Sequence, residues 1–174
     1  MTGADLSGAD IGADPDALAR RAAQPDAPPE RILLVVRRVE DGTVLLARWP
    51  DAPQPMLLSL DAPDPDEGFA DGVARLVRAR FAVTAGTPRL HAERLPVRMR
   101  HPAKGGEATG FLRVAAVEVS GTPSPDGALE GIAVLAPDEA ARALSTDLER
   151  RALALGLALL GDSRAGSNLQ VTEA

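Results

Sequence analysis

The chain has 174 residues, no cysteine and a formal net charge of -6, from 25 acidic and 19 basic residues. That length suits one domain with a substantial core, and the lack of cysteine excludes disulfides, thiol catalysis and cysteine-ligated metals. The excess of negative charge argues against nucleic-acid binding. The sequence contains no run of about 18 apolar residues, so it predicts no membrane-spanning helix. The N-terminus also lacks the pattern of a secretory signal, so we expect a cytoplasmic protein.

The first 30 residues are rich in Ala, Asp and Pro and contain few large apolar side chains. Such a segment cannot bury enough surface to offset the entropy lost on ordering. The sequence therefore predicts a disordered acidic tail over residues 1–30. We predict that the folded domain spans residues 31–162 and that residues 163–174 form a frayed C-terminal tail.

The predicted elements of the domain alternate between strands and helices. Apolar runs at 32–36 and 44–49 flank an Asp-Gly turn, which is typical of a β-hairpin. Apolar residues then recur every three or four positions over 69–82, which predicts an amphipathic helix. The last helix is predicted to open with a capping box formed by Thr146 and Glu149. The remaining predicted elements are a short apolar piece at 56–60, strands at 94–100, 110–119 and 132–135, and helices at 137–144 and 146–161.

The order of these elements and the spacing within residues 61–83 resemble the Nudix hydrolase family. The family's signature, the Nudix box, reads G-x5-E-x7-R-E-U-x-E-E-x-G-U, where U is aliphatic, and forms a loop followed by a helix. Glu67 and Arg75 match its first glutamate and its arginine, while Val77 and Val83 match its aliphatic positions. The resemblance extends over roughly residues 31–160. It implies an α/β fold of the Nudix type, an α/β/α sandwich with a mixed β-sheet.

The positions that carry the family's chemistry depart from this motif. Family members use the box to hold magnesium on the pyrophosphate of a nucleoside diphosphate derivative. Here Leu76, Ala79 and Arg80 stand at the three later glutamates, and Asp61 and Ala82 stand at the two glycines. Mg²⁺ needs oxygen ligands, and a guanidinium at such a position repels it. The box is degenerate, so we expect a non-catalytic ligand-binding or protein-interaction module with no metal cofactor.

An alternative hypothesis retains the activity. The chain would then be a Mg- or Mn-dependent hydrolase of a nucleoside diphosphate derivative with a displaced acidic site. The candidate ligands of that site are Asp64, Asp66, Glu67 and Asp71. The simpler interpretation is that Glu67 caps the helix and that Asp71 pairs with Arg75 four residues later. Glu130 lies where some family members recruit a catalytic base, but we expect it to be a surface residue.

Basic side chains near the box could instead bind a phosphate or carboxylate directly, because guanidinium groups match both geometries. The simpler interpretation is a solvated helix face and a surface loop. Trp49, the only tryptophan, is expected to pack or to border a pocket. The candidate anion-binding residues are Arg75, Arg78, Arg98, Arg100 and Lys104.

The predicted partners are therefore a small phosphorylated ligand or a protein, and neither nucleic acid nor membrane is expected. The last helix is apolar on more than one side. That pattern suits either deep burial or a partner surface such as a homodimer interface.

Overall fold

The computed structural model describes Pro15 and residues 29–61, 66–100 and 105–165. The predicted tails, 1–30 and 163–174, thus fall almost entirely outside the described residues. The candidates Asp64 and Lys104 also lie outside them.

From residue 29 onward, the described residues form eight strands and three helices. In chain order they are β1 Glu30–Arg38, β2 Val44–Arg48, β3 Leu58–Asp61, α1 Phe69–Phe81, β4 Thr84–Ala85, β5 Arg89–Leu90, β6 Leu95–Arg100, β7 Glu107–Ser120, β8 Gly131–Leu135, α2 Pro137–Ala143 and α3 Asp147–Ala165. Every predicted element is present within a few residues of its expected bounds. The sequence did not predict β4 and β5, because two-residue strands are too short to show a periodicity. The last helix continues beyond its predicted end at 161.

A single mixed sheet has β1 at its centre. β1 runs parallel to β7, with Glu30 opposite Phe111 and Arg38 opposite Val119. On its other side it runs antiparallel to β2 and to β3. β8 extends the sheet beyond β2, and β4, β5 and β6 all pair with β7. The sheet therefore contains both parallel and antiparallel neighbours, which confirms the predicted mixed sheet.

Side chains of β1 alternate between two hydrophobic cores. Ile32, Leu34 and Val36 pack with α1 on one face of the sheet. Leu33 and Val35 pack with α2 and α3 on the other face. This alternation follows from the period of two residues in a strand. Helices cover both faces, and the predicted α/β/α sandwich is confirmed.

The second face depends on a close approach between α3 and β1. A Cβ atom at Gly156 would lie 2.4 Å from Cγ2 of Val35, so only glycine permits this packing. Leu153 and Leu160 are buried in the same core. Packing within one chain thus accounts for much of the apolar surface of α3, and the homodimer stays a prediction.

The N-terminus of α3 forms the predicted cap. The backbone N–H of Glu149 donates a hydrogen bond to Oγ1 of Thr146 at 3.2 Å. The buried carboxylate of Glu149 also accepts a hydrogen bond from the N–H of Leu57 at 3.2 Å, which ties α3 to the segment before β3. None of the described helices combines the length and hydrophobicity needed to cross a bilayer.

Candidate functional site

The turn after α1 supports the alignment with the Nudix box. Ala82 has left-handed backbone angles, φ 55° and ψ 34°, and its N–H donates a hydrogen bond to the carbonyl of Arg78 at 3.0 Å. Glycine, which the box has at this position, adopts such angles without a steric penalty. Ala82 is the only non-glycine residue with a positive φ among the described residues. The backbone therefore keeps a glycine conformation where the motif has its glycine.

Glu67 and Arg75, the two charged box residues that match the motif, pair with each other. The Nε and Nη2 atoms of Arg75 donate to the two carboxylate oxygens of Glu67 at 2.5 and 2.9 Å. The hydrogen bond and charge of Arg75 lower the pKa of Glu67 below its ordinary value. This pair joins the loop to the helix and keeps the Glu67 carboxylate ionised.

The pair contradicts two expectations for this loop. Glu67 does not cap α1, because the N-cap is Gly68 and no side chain bonds to the cap. Arg75 pairs with Glu67 and not with Asp71. The i,i+4 rule considers only partners within the helix, whereas Glu67 precedes the helix and folds back along it.

Arg80 occupies the position of a motif glutamate and has a carboxylate partner of its own. Its Nη1 atom donates to Oδ2 of Asp126, in the loop before β8, at 2.7 Å. Burial raises the pKa of Asp126, but the hydrogen bonds from Arg80 and from the N–H of Ala128 outweigh that effect, so its pKa lies below the ordinary value. The guanidinium Cζ lies 5.3 Å from the centroid of the Trp49 ring. Trp49 is half-buried against the core under α1, as expected for a packing residue.

These residues do not fit the magnesium that the Nudix box implies. Leu76 packs against the core, and Ala79 presents an exposed methyl group. Arg80 adds a fixed positive charge that Asp126 neutralises one for one. Mg²⁺ is held by oxygen ligands that include at least one carboxylate, and the described part of the chain brings no three His, Asp or Glu side chains into a metal-binding group.

The other sequence candidates lie apart from one another. Arg78 is exposed on α1 and forms no ion pair with any described residue. Arg98 and Arg100 are exposed on β6, where Arg98 pairs with Glu107 at 3.3 Å. A shallow depression of about 410 Å³ lies beside them. No hydrogen bond joins the arginines of α1 to those of β6 within the described ranges. Asp66 and Asp71 are exposed, and so is Glu130, as expected.

Sequence reasoning missed a charged cluster in which Glu30 and Arg113 are buried and Arg94 is half-buried. The Nε atoms of both arginines donate to the same oxygen of Glu30, Oε1, at 3.0 Å from Arg94 and 2.9 Å from Arg113. The guanidinium of Arg94 also stacks on the ring of Phe111, with Cζ 3.8 Å from its centroid. The signal was present in the sequence, because Arg113 interrupts the apolar run that forms β7.

Known proteins match this chain in structure but not in sequence. No family model and no curated protein matches the sequence. A Listeria monocytogenes protein assigned as a NUDIX hydrolase gives a TM-score of 0.56 at 11% identity, covering 83% of this chain and 99% of that one. The NUDIX domain of Shewanella oneidensis NrtR, complexed with ADP ribose, gives 0.54 at 14% identity over 77% and 89%. The E. coli dihydroneopterin triphosphate pyrophosphohydrolase gives 0.51 at 12% identity over 71% and 91%.

The chain has the Nudix fold. The three matches agree on the architecture, and their low identity limits the likeness to the fold. Within this fold, α1 is the helix that the sequence alignment matches to the Nudix box, and the Glu67–Arg75 pair and the left-handed turn lie at the aligned positions. The arginine cluster lies beside β1 on its β7 side, near the start of β6.

Proposed function

We propose that this protein is a Nudix-fold module that binds a small phosphorylated ligand and does not hydrolyse it. The observation that carries the proposal is the ion pair between Arg80 and Asp126 at a position where the box has a glutamate. A carboxylate there would ligate magnesium, whereas the guanidinium repels it.

The surroundings of this ion pair support the loss of metal chemistry. Arg80 is held from two sides, by the carboxylate of Asp126 and by the ring of Trp49. These two contacts fix the position of the guanidinium, so its positive charge stays where a cation would bind. The neighbouring Ala79 supplies no oxygen. We therefore expect no resident Mg²⁺ or Mn²⁺.

The ligand class rests on positive charge and on one structural neighbour. The NUDIX domain of NrtR has been solved with ADP ribose bound, so this fold accommodates a phosphorylated ligand. In this chain several exposed arginines, including Arg78 and Arg100, and a buried arginine cluster are available to phosphate oxygens. Guanidinium groups suit such oxygens because they donate two parallel hydrogen bonds.

Two measurements on the full chain test the proposal. Calorimetric titration with ADP ribose, without metal, is expected to show binding. A hydrolysis assay with ADP ribose and other nucleoside diphosphate derivatives, with millimolar Mg²⁺ or Mn²⁺, is expected to show no turnover above the buffer rate.

The competing hypothesis of a displaced acidic site predicts the opposite result. Metal-dependent turnover that is lost in an Asp66→Asn/Asp71→Asn variant would establish that hypothesis and overturn ours. Asp138→Asn is the matched control, because Asp138 is an exposed acid on α2, on the opposite face of the sheet.

A further inference from the structure

We propose that Arg113 and Arg94 form a binding site for a phosphate group of a small phosphorylated ligand. This inference rests on the proposed function and assigns it a site that the box does not include. Arg113 lies on β7 and Arg94 immediately precedes β6, and Glu30 on β1 bonds both arginines.

The first argument is the burial of the arginine side chain. The Arg113 side chain is only 9% exposed, and that of Glu30 is 2% exposed. Burying an ionised group is costly unless its charge and its hydrogen bonds are matched. The burial of Arg113 within an apolar strand therefore indicates a structural or ligand-binding role.

The second argument is the ratio of charges. Arg94 and Arg113 share a single oxygen of Glu30, so among the described residues two guanidinium groups are matched by one carboxylate. The cluster carries a net charge of about +1 when all three groups are ionised. A bound anion would neutralise this excess.

The third argument is the direction of the remaining donors. Both arginines use Nε to bond Glu30, which leaves their terminal Nη atoms without a hydrogen-bond partner among the described residues. The Arg94 side chain is 28% exposed, so the cluster is open to solvent on the Arg94 side. From there each guanidinium could donate two parallel bonds to one anion.

The fourth argument is preorganisation. Glu30 holds both Nε atoms, and the ring of Phe111 supports the Arg94 guanidinium at 3.8 Å. Side chains that are already ordered lose little entropy when a ligand binds. Arg100, by contrast, is exposed and makes no ion pair with any described residue.

The cluster lies on the same face of the sheet as α1. Glu30 lies two residues from Ile32 on β1, and Arg113 lies two residues from Ala115 on β7. Both of these neighbours pack in the core under α1. Because strand side chains alternate, Glu30 and Arg113 face the same side of the sheet as the box helix.

The test is a calorimetric titration of the full chain with ribose 5-phosphate, inorganic phosphate and succinate. The wild type is expected to bind both phosphate probes, and ribose 5-phosphate more tightly than succinate. Arg113→Lys keeps the charge beside Glu30 but loses the paired donors, so we expect affinity to fall about tenfold, the effect of losing one charged hydrogen bond. Arg142→Lys, an exposed arginine on α2, is the matched control and should bind like the wild type.

Thermal unfolding of each protein without ligand separates folding from binding. The phosphate-induced rise in Tm, measured against each variant's own ligand-free Tm, should shrink in Arg113→Lys and persist in Arg142→Lys. Equal binding by the wild type and Arg113→Lys overturns the binding site and leaves the proposed function standing. A wild type that binds ADP ribose but prefers succinate to ribose 5-phosphate overturns the phosphate assignment. A wild type that binds no phosphorylated probe overturns the binding site and the proposed function together.

Discussion

Two arginine sites of this protein differ in how many carboxylates they have. At the box helix, Arg80 has Asp126 to itself, at 2.7 Å. In the sheet, Arg94 and Arg113 share one oxygen of Glu30. A one-to-one pair is electrically complete, whereas the two-to-one cluster keeps an excess of positive charge among the described residues. The comparison therefore directs the search for a bound anion to the cluster and not to Arg80.

Substitution of Glu30 should lower the stability of the fold more than any other change proposed below. Glu30→Gln keeps the side-chain shape but leaves two guanidinium groups without a countercharge, one of them buried. We expect the free energy of unfolding, measured by urea denaturation, to fall by about 3 kcal/mol. Added phosphate should restore part of this loss, because a ligand that binds only the folded state stabilises it.

Glu107→Gln is the control for this prediction. Glu107 pairs with Arg98 on the surface, where both side chains are largely exposed, and such pairs contribute little. We expect no measurable change. If Glu30→Gln and Glu107→Gln lowered the free energy of unfolding equally, the buried Glu30 cluster would matter no more for stability than a surface ion pair.

Ala82→Gly should change stability in the opposite direction. Ala82 has φ 55°, which costs an L-residue with a Cβ about 1–2 kcal/mol. Glycine removes this strain but loses more entropy on folding, so we expect a gain of about 1 kcal/mol in the free energy of unfolding. The variant should gain no hydrolytic activity, because the turn is structural.

Ala79→Gly is the matched change at a position of the same helix that has ordinary helical backbone angles, in its last turn. It should lower stability by about 1 kcal/mol, since glycine is a poor helix former. If both variants destabilise the protein, the left-handed strain at Ala82 is not the controlling factor.

Arg80→Ala should produce a smaller loss of stability than Glu30→Gln. The substitution removes the ion pair with Asp126 and the contact with Trp49. We expect a lower Tm and a change in tryptophan fluorescence, with no effect on phosphate binding. Arg80→Ala/Asp126→Ala should cost less than the two single changes together, because they remove one shared interaction. Arg78→Ala, on the exposed face, should change neither Tm nor fluorescence.

The smallest expected effect is on how the stability of the fold depends on pH. The pKa values of Glu67 and Asp126 lie below their ordinary values because Arg75 and Arg80 donate hydrogen bonds to them. A lowered folded-state pKa adds stability that is complete above the unfolded value, about pH 4, and is lost as pH falls through the folded value. Asp126→Asn should therefore flatten the decline of the denaturation midpoint below about pH 4. An unchanged slope would show that the Arg80 pair is not coupled to folding.

Local patterns were sufficient to predict most of the fold. The stripe of 69–82 predicted α1, the Asp-Gly turn predicted the β1–β2 hairpin, and Thr146 with Glu149 predicted the start of α3. Each of these signals lies within one element or one turn. The spacing of Glu67 and Arg75 also aligned the box, although their mutual pairing was not predicted.

The arginine cluster could not be predicted in the same way. Glu30 is separated by 64 residues from Arg94 and by 83 residues from Arg113. Only the register of β1 with β7, and of β7 with β6, brings the three side chains together. Periodicity predicts that a strand exists but leaves its neighbours and its register open.

The parallel ladder between β1 and β7 also has a consequence for synthesis. Every pair in that ladder joins residues 81 positions apart along the chain, from Glu30 with Phe111 to Arg38 with Val119. During translation, β1 must wait for its parallel partner while the residues between the two strands, 39–106, are synthesised. Non-local pairing of this kind is slow, and the unpaired strand is open to aggregation in the interval. The early hairpin with β2 is then the first protection that the nascent β1 receives.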